Sequence, residues 1–369
     1  MKLGALEVRI RHATLLCAAM VFALLLLAAP AHATFPGKNG KLVFLKSGNL
    51  ATVNPDGTGE TVLPGDGFFR ENPRWSPDGR RIAVDRLTGC VGDGCFFDLA
   101  TLAADGSDEV VVGTTEGSEP AWSPDGTELA YSQIDFFGPV AEDIRAVRLD
   151  GTNDRKIAEG CRFAEFPAWS PDGGSVAFEE DPCGRSSSLW IAVQTLGGPF
   201  DQRAYATEGF GPVSWSPDGT KLAFSRRVGG VSGRFDIFVA VVGTHQVQQL
   251  TTDPADDYAP VWSPDGTKIA FESGRDDPNQ PTCEFGCRTA IFVMGADGTN
   301  QHRITDVVGA IGTEFPDWQP VFGPQRSDYK NAAQFCKADH DFLGDEAFAK
   351  KYGTNSNGAN AFGKCVSAK

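Results

Sequence analysis

Apolar and polar residues alternate in short runs along most of this chain. The run Lys268-Ile269-Ala270-Phe271-Glu272 is typical, and residues 41–45, 81–84, 128–132, 175–179 and 221–225 repeat its form. A period of two puts the apolar side chains on one face of a strand. All but the first of these six runs follow the pentapeptide Trp-Ser-Pro-Asp-Gly, which starts at Trp75, Trp122, Trp169, Trp215 and Trp262. Pro presets its φ, Asp bonds its own backbone and Gly accepts a left-handed conformation, so the pentapeptide reads as a strand end followed by a tight turn.

The unit that starts near Trp262 holds four strand signals. Residues 260–262 and 268–272 flank the turn, residues 288–294 form a third run, and 302–305 a fourth after the Ala296-Asp297-Gly298-Thr299 turn. The pentapeptides are spaced by 47, 47, 46 and 47 residues, and Glu314-Phe315-Pro316-Asp317-Trp318-Gln319-Pro320 is a degenerate sixth copy. Four-stranded units at a period in the forties are the signature of a β-propeller. Six of the seven tryptophans occupy the repeat position, where packing between blades is the expected role. The first second-strand, 41–45, has no first strand before it, and the last first-strand, 317–322, has no successor. Pairing these two closes the ring and removes two sheet edges. The expectation is an all-β, six-bladed propeller over residues 34–325.

The wording Trp-Ser-Pro-Asp-Gly-Thr-Lys-Ile-Ala-Phe, followed by Ile-Phe-Val-Met-Gly-Ala-Asp-Gly-Thr, resembles the WD40-like repeat of TolB-type propellers. The opening Phe35-Pro36-Gly37-Lys38-Asn39-Gly40-Lys41 is similar to exported members of that group. The resemblance covers about four-fifths of the chain. It implies the propeller fold and, from the family's best-known member, a periplasmic envelope protein that binds a peptidoglycan-associated lipoprotein, a protein-binding role. Related repeats occur in peptidase propellers and in some polysaccharide lyases. No counterpart is expected here to the separate domain that precedes the propeller in TolB itself.

Residues 1–33 fall outside the repeat. Lys2, Arg9, Arg11 and His12 precede an apolar run over residues 15–29, and Pro30-Ala31-His32-Ala33 ends in a small-x-small site. That order reads as a secretory signal peptide cut after Ala33. The run is short for a bilayer span, so no membrane span is expected after cleavage. Without the leader, 30 basic and 47 acidic side chains remain, a net charge of −17. Nucleic acid is disfavoured as a partner, and a basic partner or a cation suits the charge. The eight remaining cysteines suggest disulfides in an oxidising compartment, periplasm, cell wall or medium. Proximity pairs Cys90–Cys95, Cys161–Cys183, Cys283–Cys287 and Cys336–Cys365. Their spacing matches no zinc pattern. Residues 326–369 read as a small helical tail tied by Cys336–Cys365, with Asp345 as a cap and a last helix over 361–367.

Irregular length concentrates between second and third strands, at 85–95, 133–143, 180–188, 226–234 and 273–288. These stretches and the entries to the first strands share one face of a propeller, where function is expected. Glu71, Glu119, Glu165, Asp256, Asp257 and Glu314 precede the first strands and are expected to ring the channel mouth. Phe68, Phe69, Phe136, Phe137 and Phe285 lie in loops of the same face and are candidate anchors. Catalysis has little support: the mature chain has only His245, His302 and His340, and no Gly-x-Ser-x-Gly elbow. The sequence therefore points to a monomeric, exported, non-enzymatic propeller without cofactor or metal. Its expected ligand is a protein or peptide, with a glycan or cell-wall component as the second reading and a hydrolase or lyase as the third.

Overall fold

The computed structural model describes residues 35–367, apart from 66, 92–93, 114–116, 134–142, 160–163, 182–188, 199–205, 208, 231–232, 245, 278–287, 308–312, 324–330 and 353–360. It forms two compact units, Met1–Pro320 and Val321–Lys369. The expected leader, the Cys161–Cys183 and Cys283–Cys287 pairs, and Phe136, Phe137 and Phe285 lie outside the described residues.

Six four-stranded antiparallel sheets make up the first unit. The strands are β1 (Lys38–Lys46), β2 (Asn49–Val53), β3 (Thr61–Val62), β4 (Arg70–Trp75), β5 (Arg81–Val91), β6 (Gly94–Ala103), β7 (Val110–Gly113) and β8 (Gly117–Trp122). They continue as β9 (Glu128–Gln133), β10 (Asp143–Arg148), β11 (Arg155–Glu159), β12 (Ala164–Trp169), β13 (Ser175–Glu180), β14 (Trp190–Thr195), β15 (Ala206–Thr207) and β16 (Gly209–Trp215). The last are β17 (Lys221–Val228), β18 (Arg234–Val241), β19 (Val247–Gln249), β20 (Asp257–Trp262), β21 (Lys268–Ser273), β22 (Ala290–Gly295), β23 (His302–Arg303) and β24 (Thr313–Val321). Five sheets use four consecutive strands, and the sixth has the order β24-β1-β2-β3. The ends of the ring thus share a blade, as the unpaired first and last strands require. Strand β24 begins at Thr313, earlier than the 317–322 run indicates. Two stretches read as loops are strand instead: β5 and β6 pair out to Val91 and Gly94, with Cys90 opposite Cys95 and disulfide-bonded to it, and β17 and β18 pair out to Val228 and Arg234.

The core is divided among the seams between blades. Trp75, Trp122, Trp169, Trp215, Trp262 and Trp318 are 2–5 % exposed, and each sits in a different apolar cluster that joins neighbouring sheets. The Trp122 and Trp215 indoles donate 3.0 Å hydrogen bonds to the carbonyls of Arg74 and Ala168 on the preceding blade. Large aromatic burial explains the residue type at all six places, and a directed N–H adds to it at Trp122 and Trp215.

The Ser-Pro-Asp-Gly turns are tied internally. Ser170 Oγ donates to Asp172 (2.6 Å) and accepts from the Ser175 amide (2.9 Å), and Ser76, Ser123, Ser216 and Ser263 act alike. Gly79 has φ +67°, and a Cβ there would lie 2.2 Å from the Pro320 carbonyl oxygen, so both conformation and space demand glycine.

In the second unit, α1 (Ala332–Tyr352) is interrupted at Gly344 (φ 76°), and α2 (Ala361–Ser367) matches the expected last helix. The Cys336–Cys365 disulfide joins them within a small cluster that includes Phe348 and Ala361. Among the described residues no helix is long and apolar enough to cross a membrane.

Candidate functional site

The innermost strands β4, β8, β12, β16, β20 and β24 line the channel, and each carries the same irregularity. A residue with positive φ sits three or four places before the tryptophan: Asn72, Glu119, Phe166, Gly211, Ala259 and Phe315. The register to the second strand slips there in every pair for which partners are resolved. Such a bulge frees one backbone N–H from the ladder, and a buried N–H needs an acceptor.

The acceptor comes from the preceding blade. Asp85 accepts from the Glu119 amide at 2.9 and 3.0 Å, Glu179 from the Gly211 amide, and Glu272 from the Phe315 amide at 2.5 Å. Ser225 Oγ accepts from the Ala259 amide at 3.2 Å. At the β12 bulge the second strand of the preceding blade offers Ser132, whose hydroxyl is turned to Glu119. Glu119 reaches across instead, accepting from the Phe166 amide at 2.7 Å and from the Ser132 hydroxyl at 2.7 Å. Each of these residues ends the alternating run of its second strand or is held by the residue that does. Leu45 holds that place on β1.

These clamps place carboxyl groups where water is scarce. Burial pushes Asp85 up to about 7, against the pull of the Asn72 amide (2.8 Å) and the Glu119 N–H, and the Glu71 charge adds to the rise. Burial likewise lifts Glu179 to about 8, with Glu165 contributing, and Glu272 to about 8, with Glu314 contributing. Glu119 is raised well above the usual carboxylate range by burial and by the charges of Glu165 and Asp85. Deeper on β24, Asp317 accepts from the Trp75 amide at 2.6 Å; burial lifts it to about 6 while Arg74 pulls it down.

Glu71, Glu165 and Glu314 share one position, four residues before the tryptophan, on three of the six innermost strands. All are half-buried, and burial raises each above its ordinary value, with Glu71 adding to the rise at Glu314. Glu71 acts on Glu314, whereas Glu165 acts on Glu119 and Glu179. Glu119 stands one residue further along and is committed to its clamp. Asp256 and Asp257 precede the ring position: Asp256 accepts from the Phe235 amide at 2.7 Å, and fully buried Asp257 takes a two-pronged contact from Arg275 at 2.9 and 3.0 Å. Counting four places back from the tryptophan locates the ring position and also finds Tyr258; on β16 the residue before the bulge is Phe210, five places before Trp215. Phe68 and Phe69 are 46 % and 38 % exposed and border a cavity of about 170 Å³ that includes Gly48, Leu63 and Arg70. The channel itself encloses about 80 Å³ between the proline and tryptophan positions of the innermost strands, with Arg74 and Asp317 as charged members. Among the described residues no three His, Cys, Asp or Glu side chains converge as metal ligands.

No protein-family model matches the chain, and no curated protein matches its sequence. Solved structures match its fold. TolB from Acinetobacter baumannii superposes with a TM-score of 0.59 at 19 % identity, over 76 % of this chain and 67 % of that one. A putative TolB from Agrobacterium tumefaciens gives 0.56 at 21 %, over 77 % and 92 %. The tricorn protease gives 0.52 at 16 %, over 76 % of this chain but 27 % of that one. Identities this low establish shape and not activity. In fold, the chain is a TolB-like six-bladed β-propeller.

Proposed function

We propose that this chain is an exported, non-enzymatic propeller that binds a protein or peptide partner bearing basic side chains at the channel mouth. One observation carries the reading: Glu71, Glu165 and Glu314 sit half-buried on one ring, backed by the buried carboxylates Asp85, Glu179 and Glu272 and by half-buried Glu119. Carboxylates so placed repel one another, and a cationic group brought against them relieves that repulsion. A pre-formed rim also costs little ordering on association. The Cys90–Cys95 and Cys336–Cys365 disulfides support an oxidising compartment. Binding is favoured over catalysis because His302 is exposed on the short outer strand β23 and His340 belongs to the second unit. The tricorn fold match keeps a propeller hydrolase as the third reading.

The test is to cross-link residues 34–369 to envelope and secreted fractions of the source cell, alongside a variant with Glu71, Glu165 and Glu314 changed to Lys. The expected result is a specific protein captured by wild type, released by salt and lost in the variant. A folded variant with full capture would sink the rim reading. A glycan-binding reading draws on exposed Phe68 and Phe69 beside their cavity; it expects glycan retention that survives high salt and falls on Phe68→Ala.

A further inference from the structure

The lip of the mouth is chemically two-sided. Taken in ring order, the position before each bulge holds Glu314, Glu71, Ser118, Glu165, Phe210 and Tyr258. The three carboxylates therefore fall within four consecutive places, with Glu165 opposite Glu314 and next to Phe210, and the two aromatic residues fill the remaining two. Strand β16 is one residue longer between the bulge and its tryptophan than the other five, which moves Phe210 to the fifth place before Trp215.

Phe210 is 45 % exposed, and it is packed rather than loose. Its ring lies 5.0 Å from Phe235 and 5.9 Å from Tyr258, and those two are 5.1 Å apart. Phe235 is 8 % exposed and carries Arg227 at 4.8 Å from its ring centroid. Phe210 thus has a buried aromatic ring, Phe235, beneath it and still leaves nearly half of its surface open. A rigid, half-exposed ring on a pre-formed lip is the kind of residue that anchors a partner. The channel below, with about 80 Å³, has room for a few waters, so a ligand is read at the lip and does not thread through.

We propose that the mouth selects a peptide segment in which a Lys or Arg lies next to an apolar or aromatic side chain. The basic group sits on the Glu314, Glu71 and Glu165 side, and the apolar one on Phe210. This rests on the reading of the mouth as a peptide site and adds the second half of its chemistry. A bare polybasic stretch uses one side of the lip only and binds less well than the mixed segment.

The test selects a phage-displayed random dodecapeptide library on residues 34–369, then measures the enriched peptides by fluorescence polarisation. Enriched sequences are expected to pair a basic with an apolar residue within a few positions. Phe210→Ser should weaken them about tenfold, roughly 1.4 kcal/mol, while Phe210→Leu stays within about threefold. Changing the peptide's apolar residue to Gly gives the same loss without altering the protein, so the test survives a poorly folded Phe210→Ser. Enriched peptides that are basic only, or indifferent to Phe210→Ser and to the Gly change but abolished by Glu71, Glu165 and Glu314 to Lys, would overturn this inference and leave the peptide-binding reading standing. Enrichment insensitive to all of these changes would overturn both.

Discussion

The Ser-Pro-Asp-Gly turns and the channel mouth lie at opposite ends of the same strands, and both ends are rich in carboxylates. At the turns the environment favours the charged form. The Ser170 hydroxyl and the Gly174 amide hold Asp172 below its ordinary range. For Asp125, Asp218 and Asp265 partial burial pushes upward, but hydrogen bonds from the turn's own Ser and Thr outweigh it. At the mouth the balance reverses. Asp85, Glu179 and Glu272 each receive a main-chain hydrogen bond, yet burial and neighbouring carboxylates dominate and lift them to about 7 or 8. The same side-chain type therefore closes a turn at low cost on one face and holds a seam under electrostatic tension on the other. That tension is what the proposed binding of a basic group would relieve, whereas the turn carboxylates already have their hydrogen bonds.

The largest stability effect separating the two ends should come from Glu272→Ala. It leaves the Phe315 amide buried without an acceptor, a loss of about 1–3 kcal/mol, read as a lower urea midpoint. Glu272→Gln keeps an acceptor and cannot ionise, so at pH 8.5 it should match or exceed wild type. Ser170→Ala comes next. Removing the turn's donor and acceptor should cost about 0.5–1.5 kcal/mol at pH 7. Asp172 has a lowered folded pKa, so its contribution is present above an unfolded value of about 4 and is lost as pH falls through the folded one. The difference between Ser170→Ala and wild type should therefore shrink below pH 4; a constant difference would mean that the turn carboxylate is not stabilised as described. The smallest effect belongs to the lip. Changing Glu71, Glu165 and Glu314 together to Gln should move stability by less than about 0.5 kcal/mol per site while weakening capture of a basic partner. A large loss of stability would place them among the clamps.

Much of this architecture was legible in the chain. The pentapeptide period and the alternating runs locate the blades, and the unpaired first and last strands give the shared blade that β24 and β1 form. The mouth was read less well, for a physical reason. A bulge with positive φ interrupts each innermost strand, so carboxylates one residue apart, such as Glu71 and Glu119, meet different fates. Nearness to the strand start groups them, whereas distance from the tryptophan separates them. The clamps were present as the polar ends of the alternating runs, at Asp85, Glu179 and Glu272, but their partners are backbone amides about 32 to 43 residues away. No local pattern marks those partners. Phe210 was hidden by the extra residue in β16.

Burial tilts the mouth carboxylates toward their neutral form, and thermal unfolding across pH is the sharpest probe of that tilt. Their folded pKa values lie above the unfolded value of about 4, so their stabilisation is whole below that pH and is lost as pH rises through 7 to 8. The melting temperature of residues 34–369 should fall between pH 5.5 and pH 8.5. The combined Asp85→Asn, Glu179→Gln and Glu272→Gln protein should lose most of that slope and melt above wild type at the alkaline end. A wild-type midpoint that stays level or rises over this range, or an equal slope in both proteins, would contradict the account.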